Sequence, residues 1–166
     1  LLSFLQIDKN GSVNVSKLGL RPHVTAGAGG FVDITSGAKR IVFSGMFNAG
    51  AKLSVVDGEL VIDKEGKIKK LVEAVEHVTF SGQRAVKQGQ EVVYVTERCV
   101  MKLTPNGLVV TEVAPGIDIE RDILAQSEFP LTISDKLVEM PRAIFQPEPF
   151  GLNLPQKAQR RLQFDD

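Results

Sequence analysis

Two runs constrain this chain more than anything else in it. Arg40 to Phe47 (RIVFSGMF) and Glu91 to Met101 (EVVYVTERCVM) are rich in aliphatic, aromatic and β-branched residues and lack the polar alternation of a strand with one wet face. A strand apolar on both sides has to be covered on both sides, as in a parallel sheet clothed by helices. The 166 residues are enough for one domain with a core of ordinary size. The expected fold is therefore α/β: an open, mostly parallel sheet with flanking helices and β-hairpin insertions, followed by a C-terminal extended arm.

Leu1 to Ile7 reads as a buried strand, turned by Asp8-Lys9-Asn10-Gly11 into Val13-Asn14-Val15 as a hairpin. The stretch His23 to Thr35 (HVTAGAGGFVDIT) has three glycines in four positions, Gly27, Gly29 and Gly30. Their amides can turn toward an anion or a polarised carbonyl oxygen without a side chain intervening. The bland alternative is a plain structural turn, since the dinucleotide fingerprint is incomplete. Phe31 to Ala38 is expected as a short helix whose first amides face the same point as those of Gly29 and Gly30.

At the end of the first apolar run, Asn48-Ala49-Gly50-Ala51 should be a loop near a ligand, because α/β sheets bind at strand C-termini. Lys52 to Asp63 alternates around Asp57-Gly58, an inserted hairpin. Gly66 to Val78 suits a helix, with a strand from Val75 to Phe80 as the alternative. Gly82 to Gln90 reads as a short helix stopped by Gly89, and Leu108 to Val113 as a strand after the turn Thr104-Pro105-Asn106-Gly107. Pro115 to Phe129 reads as a helix with Ile119, Ile123 and Leu124 on one face. Beyond Pro130 the prolines at 141, 147, 149 and 155 interrupt regular structure. Pro141 to Leu154 is expected to be an arm packed by Phe145 and Phe150 on the body or on a neighbouring subunit, and 156–166 a mobile or helical tail. The division is thus 1–140 and 141–166.

Lys plus Arg and Asp plus Glu are 20 each, so no overall field draws in nucleic acid or an anionic membrane. Hydrophobic residues at 43% and charged ones at 24% argue against disorder and against membrane insertion. The single Cys99 reads as a small buried thiol, and with no signal peptide the default location is the cytoplasm. Leu1, not Met, stands first and lies within a strand pattern, so a C-terminal piece of a longer polypeptide is expected. His23 and His77 have no ligand-spaced partners, which argues against a metal site. Ser44 and Ser81 precede glycines outside any Gly-x-Ser-x-Gly, and no P-loop is present. Glu97, in the charged interruption Thr96-Glu97-Arg98, reads as the partner of Arg98 or another nearby cation.

Several segments stand in an order that resembles the β half of the family I CoA-transferases: Gly11, Asn14 and Ser16, then GAGGFVDIT, RIVFSGMF, HVTFSG, VVYVTERCVMKLT and VTEVAPGIDIERDIL. The resemblance covers roughly residues 1–154, and Thr96-Glu97 with Ala114-Pro115-Gly116-Ile117-Asp118 looks closest to the single-chain acetate, propionate and short-chain acyl-CoA transferases. It implies that residues 1–140 are the C-terminal part of a CoA-transferase-like β domain, a partial sheet. It further implies ping-pong exchange of CoA between an acyl-CoA and a short-chain carboxylate through a glutamyl-CoA thioester, with no permanently bound cofactor. The family's nucleophilic glutamate lies upstream of the matched region, and no glutamate here precedes Glu59. No catalytic residue is therefore assigned to this chain, which alone is expected to be inactive and to need the N-terminal region or subunit of the same enzyme. Gly29 and Gly30 would serve as oxyanion and CoA-binding donors. The loop with Asn48, Gly50 and Lys52 is the candidate CoA contact, the more so because Ala26 stands where the family often has an amide. A homo-oligomer is the family expectation. Two other readings stand beside this one: a non-catalytic CoA- or nucleotide-binding module, and a structural or oligomerising domain.

Overall fold

The structure, a computed structural model, describes residues 1–19, 27–149 and 151. Phe150 and the tail lie outside them, as do His23 and Ala26. In chain order the strands and helices are β1 Gln6–Asp8, β2 Val13–Asn14, α1 Phe31–Gly37, β3 Arg40–Ser44, β4 Asn48–Ala49, β5 Lys52–Val56, β6 Glu59–Lys64, β7 Ile68–Lys69, β8 Leu71–Val72, α2 Gly82–Lys87, β9 Glu91–Val95, β10 Cys99–Thr104, β11 Gly107–Val113 and β12 Thr132–Glu139.

The main sheet has the order β12-β11-β10-β9-β3. Its pairings are mixed: β3 with β9 and β11 with β12 are parallel, while β9–β10 and β10–β11 are antiparallel. This corrects the expectation of a mostly parallel sheet with flanking helices. The cause lies in Glu91 to Met101, which is two strands and not one. At its charged interruption Thr96 N–H donates to the Cys99 carbonyl (3.0 Å), and the Thr96 hydroxyl accepts from the Arg98 and Cys99 amides (3.2 and 3.0 Å). That turn reverses the chain.

Both faces of the sheet are covered, as the apolar runs require. On one face Phe43, Tyr94, Met101 and Val110 are fully buried, and Phe43 meets Phe31, Phe80 and Tyr94 at ring-centroid distances of 5.9, 5.1 and 5.5 Å. A second sheet, β2-β1-β8, carries Ile7, Val13 and Leu71 into the same core. On the other face the described residues place no α-helix. Leu60, Val100, Ala114 and Met140 form a smaller core, with Leu53, Val93, Val95 and Phe145 packed against it. The cover is the β5–β6 hairpin together with the segment around Met140 to Phe145. The hairpin stands as its own two-stranded sheet, turned by Asp57 and Gly58 at φ 52° and 74°.

Gly66 to Val78 forms the short strands β7 and β8 and no helix. Pro115 to Phe129 is also not a regular helix but a π-type turn, Ile119–Ile123, followed by a 3-10 turn, Leu124–Gln126. Asp118 caps the first by accepting from the Arg121 amide at 2.7 Å. The Asp122 carbonyl, which a continuing helix would need, instead accepts from the Arg98 guanidinium at 2.9 Å. The interrupted segment after Pro130 nonetheless contains the eight-residue β12, and Arg142–Phe145 adds a 3-10 turn. No helix among the described residues is long and apolar enough to cross a membrane.

Candidate functional site

The parallel strands β3 and β9 end together, with Ser44 paired to Val95. Gly45 N–H then donates to the Val95 carbonyl at 3.1 Å, and Ser44 N–H to the Leu2 carbonyl at 2.8 Å. The glycine corner belongs to the same end of the sheet. Gly29 takes φ 54°, a conformation costly for any residue with a Cβ, and Gly30 at φ −78° caps α1. Phe31 follows immediately and stacks on Phe43, which fixes the start of α1 beside the C-terminal half of β3. Both glycines are exposed, and among the described residues no atom lies within 4 Å of where a Gly29 side chain would begin.

A polar knot is built on Arg98, which lies in the turn between β9 and β10 and whose side chain is 0% exposed. Its guanidinium reaches Glu65 through two bonds of 2.7 and 2.8 Å, Glu97 at 3.2 Å and the Asp122 carbonyl at 2.9 Å, and lies 4.9 Å from the Phe47 ring centroid. The other Glu97 oxygen accepts the Phe47 amide at 2.8 Å. The hydrogen bonds from Arg98 hold the Glu65 carboxyl below its ordinary range despite partial burial, helped by Asn48 and the Gly66 amide. The knot thus pins the segment after β3 to the β9–β10 turn, to the end of β6 and to the turn at Asp122. Glu97 pairs with Arg98 as read from the sequence.

Lys70, between β7 and β8, is partly buried, with its ammonium 4.0 Å from the Phe4 ring centroid. Burial pulls it down to about 8, against the attraction of the Glu97 carboxylate. Cys99 is fully buried, and burial pushes its thiol up to about 12, so it has no thiolate to offer. The His77 ring nitrogen lies 2.9 Å from the Ser16 hydroxyl. Among the described residues no group of three or more His, Cys, Asp or Glu side chains is placed to hold a metal.

The candidate CoA loop is divided by the structure. Asn48 is fully buried, its amide N–H₂ donating to Glu65 at 3.0 Å and toward Gln126 at 3.5 Å. The pair Asn48–Ala49 is not loop but a short strand paired with β7. Gly50, at φ 81°, and Lys52 remain exposed. Sequence reasoning missed Glu65 and Lys70. Both stand in the charged stretch DKEGKIKK, where nothing separates a buried charge from a solvated one. Arg98 did leave a trace, as a charge inside an apolar run.

No protein-family model matches the chain. It is 47% identical over 156 residues to the caffeate CoA-transferase of Acetobacterium woodii, a match covering 92% of this chain and 30% of that protein. The crystal structure of the acyl-CoA transferase YdiF apoenzyme from Escherichia coli O157:H7 superposes with a TM-score of 0.88 at 39% identity, over 93% of this chain and 30% of that one. The same transferase as a thioester complex with CoA gives 0.86 at 38% identity, over 92% and 30%. The chain therefore spans less than a third of the length of these relatives.

Proposed function

Because the chain belongs to the family I CoA-transferases, as a partial segment of them, we propose that it forms the oxyanion- and CoA-facing wall of a short-chain acyl-CoA:carboxylate CoA-transferase acting on acetate, propionate or a 3-oxoacid. A glutamate outside these 166 residues attacks the acyl-CoA thioester carbonyl. The mixed anhydride is then opened by the CoA thiolate to give glutamyl-CoA and release the first carboxylate, and a second carboxylate reverses the steps. Exclusion of water conserves the thioester's free energy through both halves.

The observation that carries this reading is the Gly29–Gly30 corner, exposed and unobstructed by any described residue at the end where β3 and β9 stop. Gly30, and with it Gly29, donates a backbone N–H to the thioester oxygen as charge develops there. One such donor is worth about 3 kcal/mol in a dry site. A relative at 38% identity solved as a CoA thioester supports it. The exposed Gly50 and Lys52, with Asn48 behind them, give CoA its contact, Lys52 as the basic group. The remaining wall comes from the N-terminal region of the same enzyme, assembled as a homo-oligomer.

Gly30→Val in the whole enzyme tests the proposal. Gly30 has negative φ, and among the described residues a Cβ there meets only Ile34 Cδ1 at 3.8 Å, so the fold tolerates the change. The added bulk stands where the thioester oxygen belongs, and turnover is expected to fall roughly a hundredfold with the melting temperature nearly unmoved. Unchanged turnover would remove the oxyanion role.

A further inference from the structure

Lys70 stands at this end of the sheet, and the proposed exchange does not employ it. Its backbone is fixed, since Ile7 N–H donates to the Lys70 carbonyl at 2.8 Å. Its ammonium lies over the Phe4 ring and beside Gly45, where a side chain would crowd it. A Cβ built at Gly45 would stand 3.2 Å from Lys70 Nζ and 3.1 Å from Phe4 Cε1. Among the described residues no hydrogen bond or ion pair holds Nζ, which faces the Phe4 ring in place of an anion. The charged group that acts on it is Glu97 from the β9–β10 turn, and that carboxylate is itself engaged by Arg98 and the Phe47 amide. An ammonium that has lost part of its hydration without gaining an anion is readily deprotonated, and burial brings this one down to about 8. The neutral amine is a nucleophile.

We infer that Lys70 is a site of covalent acylation by the acyl-CoA brought to this end of the sheet, an inference that rests on the CoA-transferase reading. The amine nitrogen adds to the thioester carbonyl carbon and the carbon–sulfur bond breaks. The acyl group remains on Nζ as an amide, and the proton released by nitrogen leaves with CoA as its thiol. Nothing is oxidised or reduced. The amide is neutral and far more durable than a glutamyl thioester, so each acylation replaces the cation over Phe4 with a lasting acyl group beside Gly45.

Site-resolved mass spectrometry of the whole enzyme, incubated with acetyl-CoA or with S-acetyl-N-acetylcysteamine, tests the inference. At pH 8 about half of Lys70 is neutral, against less than about 1% of an ordinary lysine, and its lower basicity returns part of that advantage. Lys70 is therefore expected to be acetylated roughly tenfold faster than the exposed Lys67, Lys87 and Lys102 with both donors. Its rate should level off above about pH 8 while theirs keep climbing. Preference for Lys70 with the small thioester but not with acetyl-CoA overturns the inference together with the placement of CoA at this end. Absence of preference with either donor overturns it alone, leaving the CoA-transferase reading to the Gly30→Val test.

Discussion

Arg98 shows what a buried charge costs and what it fixes. A guanidinium with no exposed side-chain surface has lost its hydration entirely, and that loss is offset only because two carboxylates and a carbonyl surround it. Arg98→Met would leave Glu65 and Glu97 as partly buried carboxylates without their cation. We expect a loss of about 3–5 kcal/mol of stability in urea melts. Arg98→Lys should recover little of it, because a point charge cannot span Glu65, Glu97 and the Asp122 carbonyl together. A loss under about 1 kcal/mol would mean that the knot is incidental to the fold. From the sequence the Glu97–Arg98 pair could be read, since adjacent opposite charges inside an apolar run have to find each other or water. Glu65 could not, because it comes from 33 residues away and looks like part of a polar turn until the hairpin folds back.

Among the elements, the hairpin of β5 and β6 takes the place that a second helical layer was expected to fill. Its turn was legible because Asp57 and Gly58 are suited to two successive positive φ angles. Its role was not, since the alternation that marks a hairpin does not say which surface it will cover. Leu60 is its anchor, 4% exposed and packed with Val100, Ala114 and Met140. Leu60→Ala should cost about 2–4 kcal/mol by calorimetric melting, whereas a loosely attached insertion would lose less than about 1. The glycine-stopped helix α2 and the strands β3 and β11 were also legible, their apolar and turn residues agreeing with their surroundings. The strand β12 was hidden by an irregularity: Val110 pairs with Ile133 but Glu112 with Val138, so four residues of β12 stand against one of β11 and the period of two is broken. The turns between Ile119 and Gln126 were misread as one helix because the apolar spacing is right and only Arg98, far off in sequence, ends it.

For the whole molecule, the chain spans 30% of its caffeate-transferase relative, and on the proposed function it holds only part of the wall that binds CoA. Titration calorimetry of the 166-residue chain with CoA should accordingly find affinity no better than about millimolar, and no acyl exchange. Micromolar binding by the chain alone would favour a self-sufficient binding module over a wall that needs the rest of its enzyme.

The parallel pairing of β3 with β9 sets a timetable as well as a shape. Arg40 and Glu91, opposite each other in the ladder, are 51 residues apart along the chain. The hairpins of β5 with β6 and of β10 with β11 close over a few residues, on a scale of microseconds. The central ladder cannot be zipped from any local turn, because the loop entropy of some fifty residues opposes it until Phe43 and Tyr94 meet. Newly made chains therefore pass through an interval in which finished hairpins wait beside unpaired, strongly apolar strands. In that interval the two runs that define this fold are also its points of greatest exposure to aggregation.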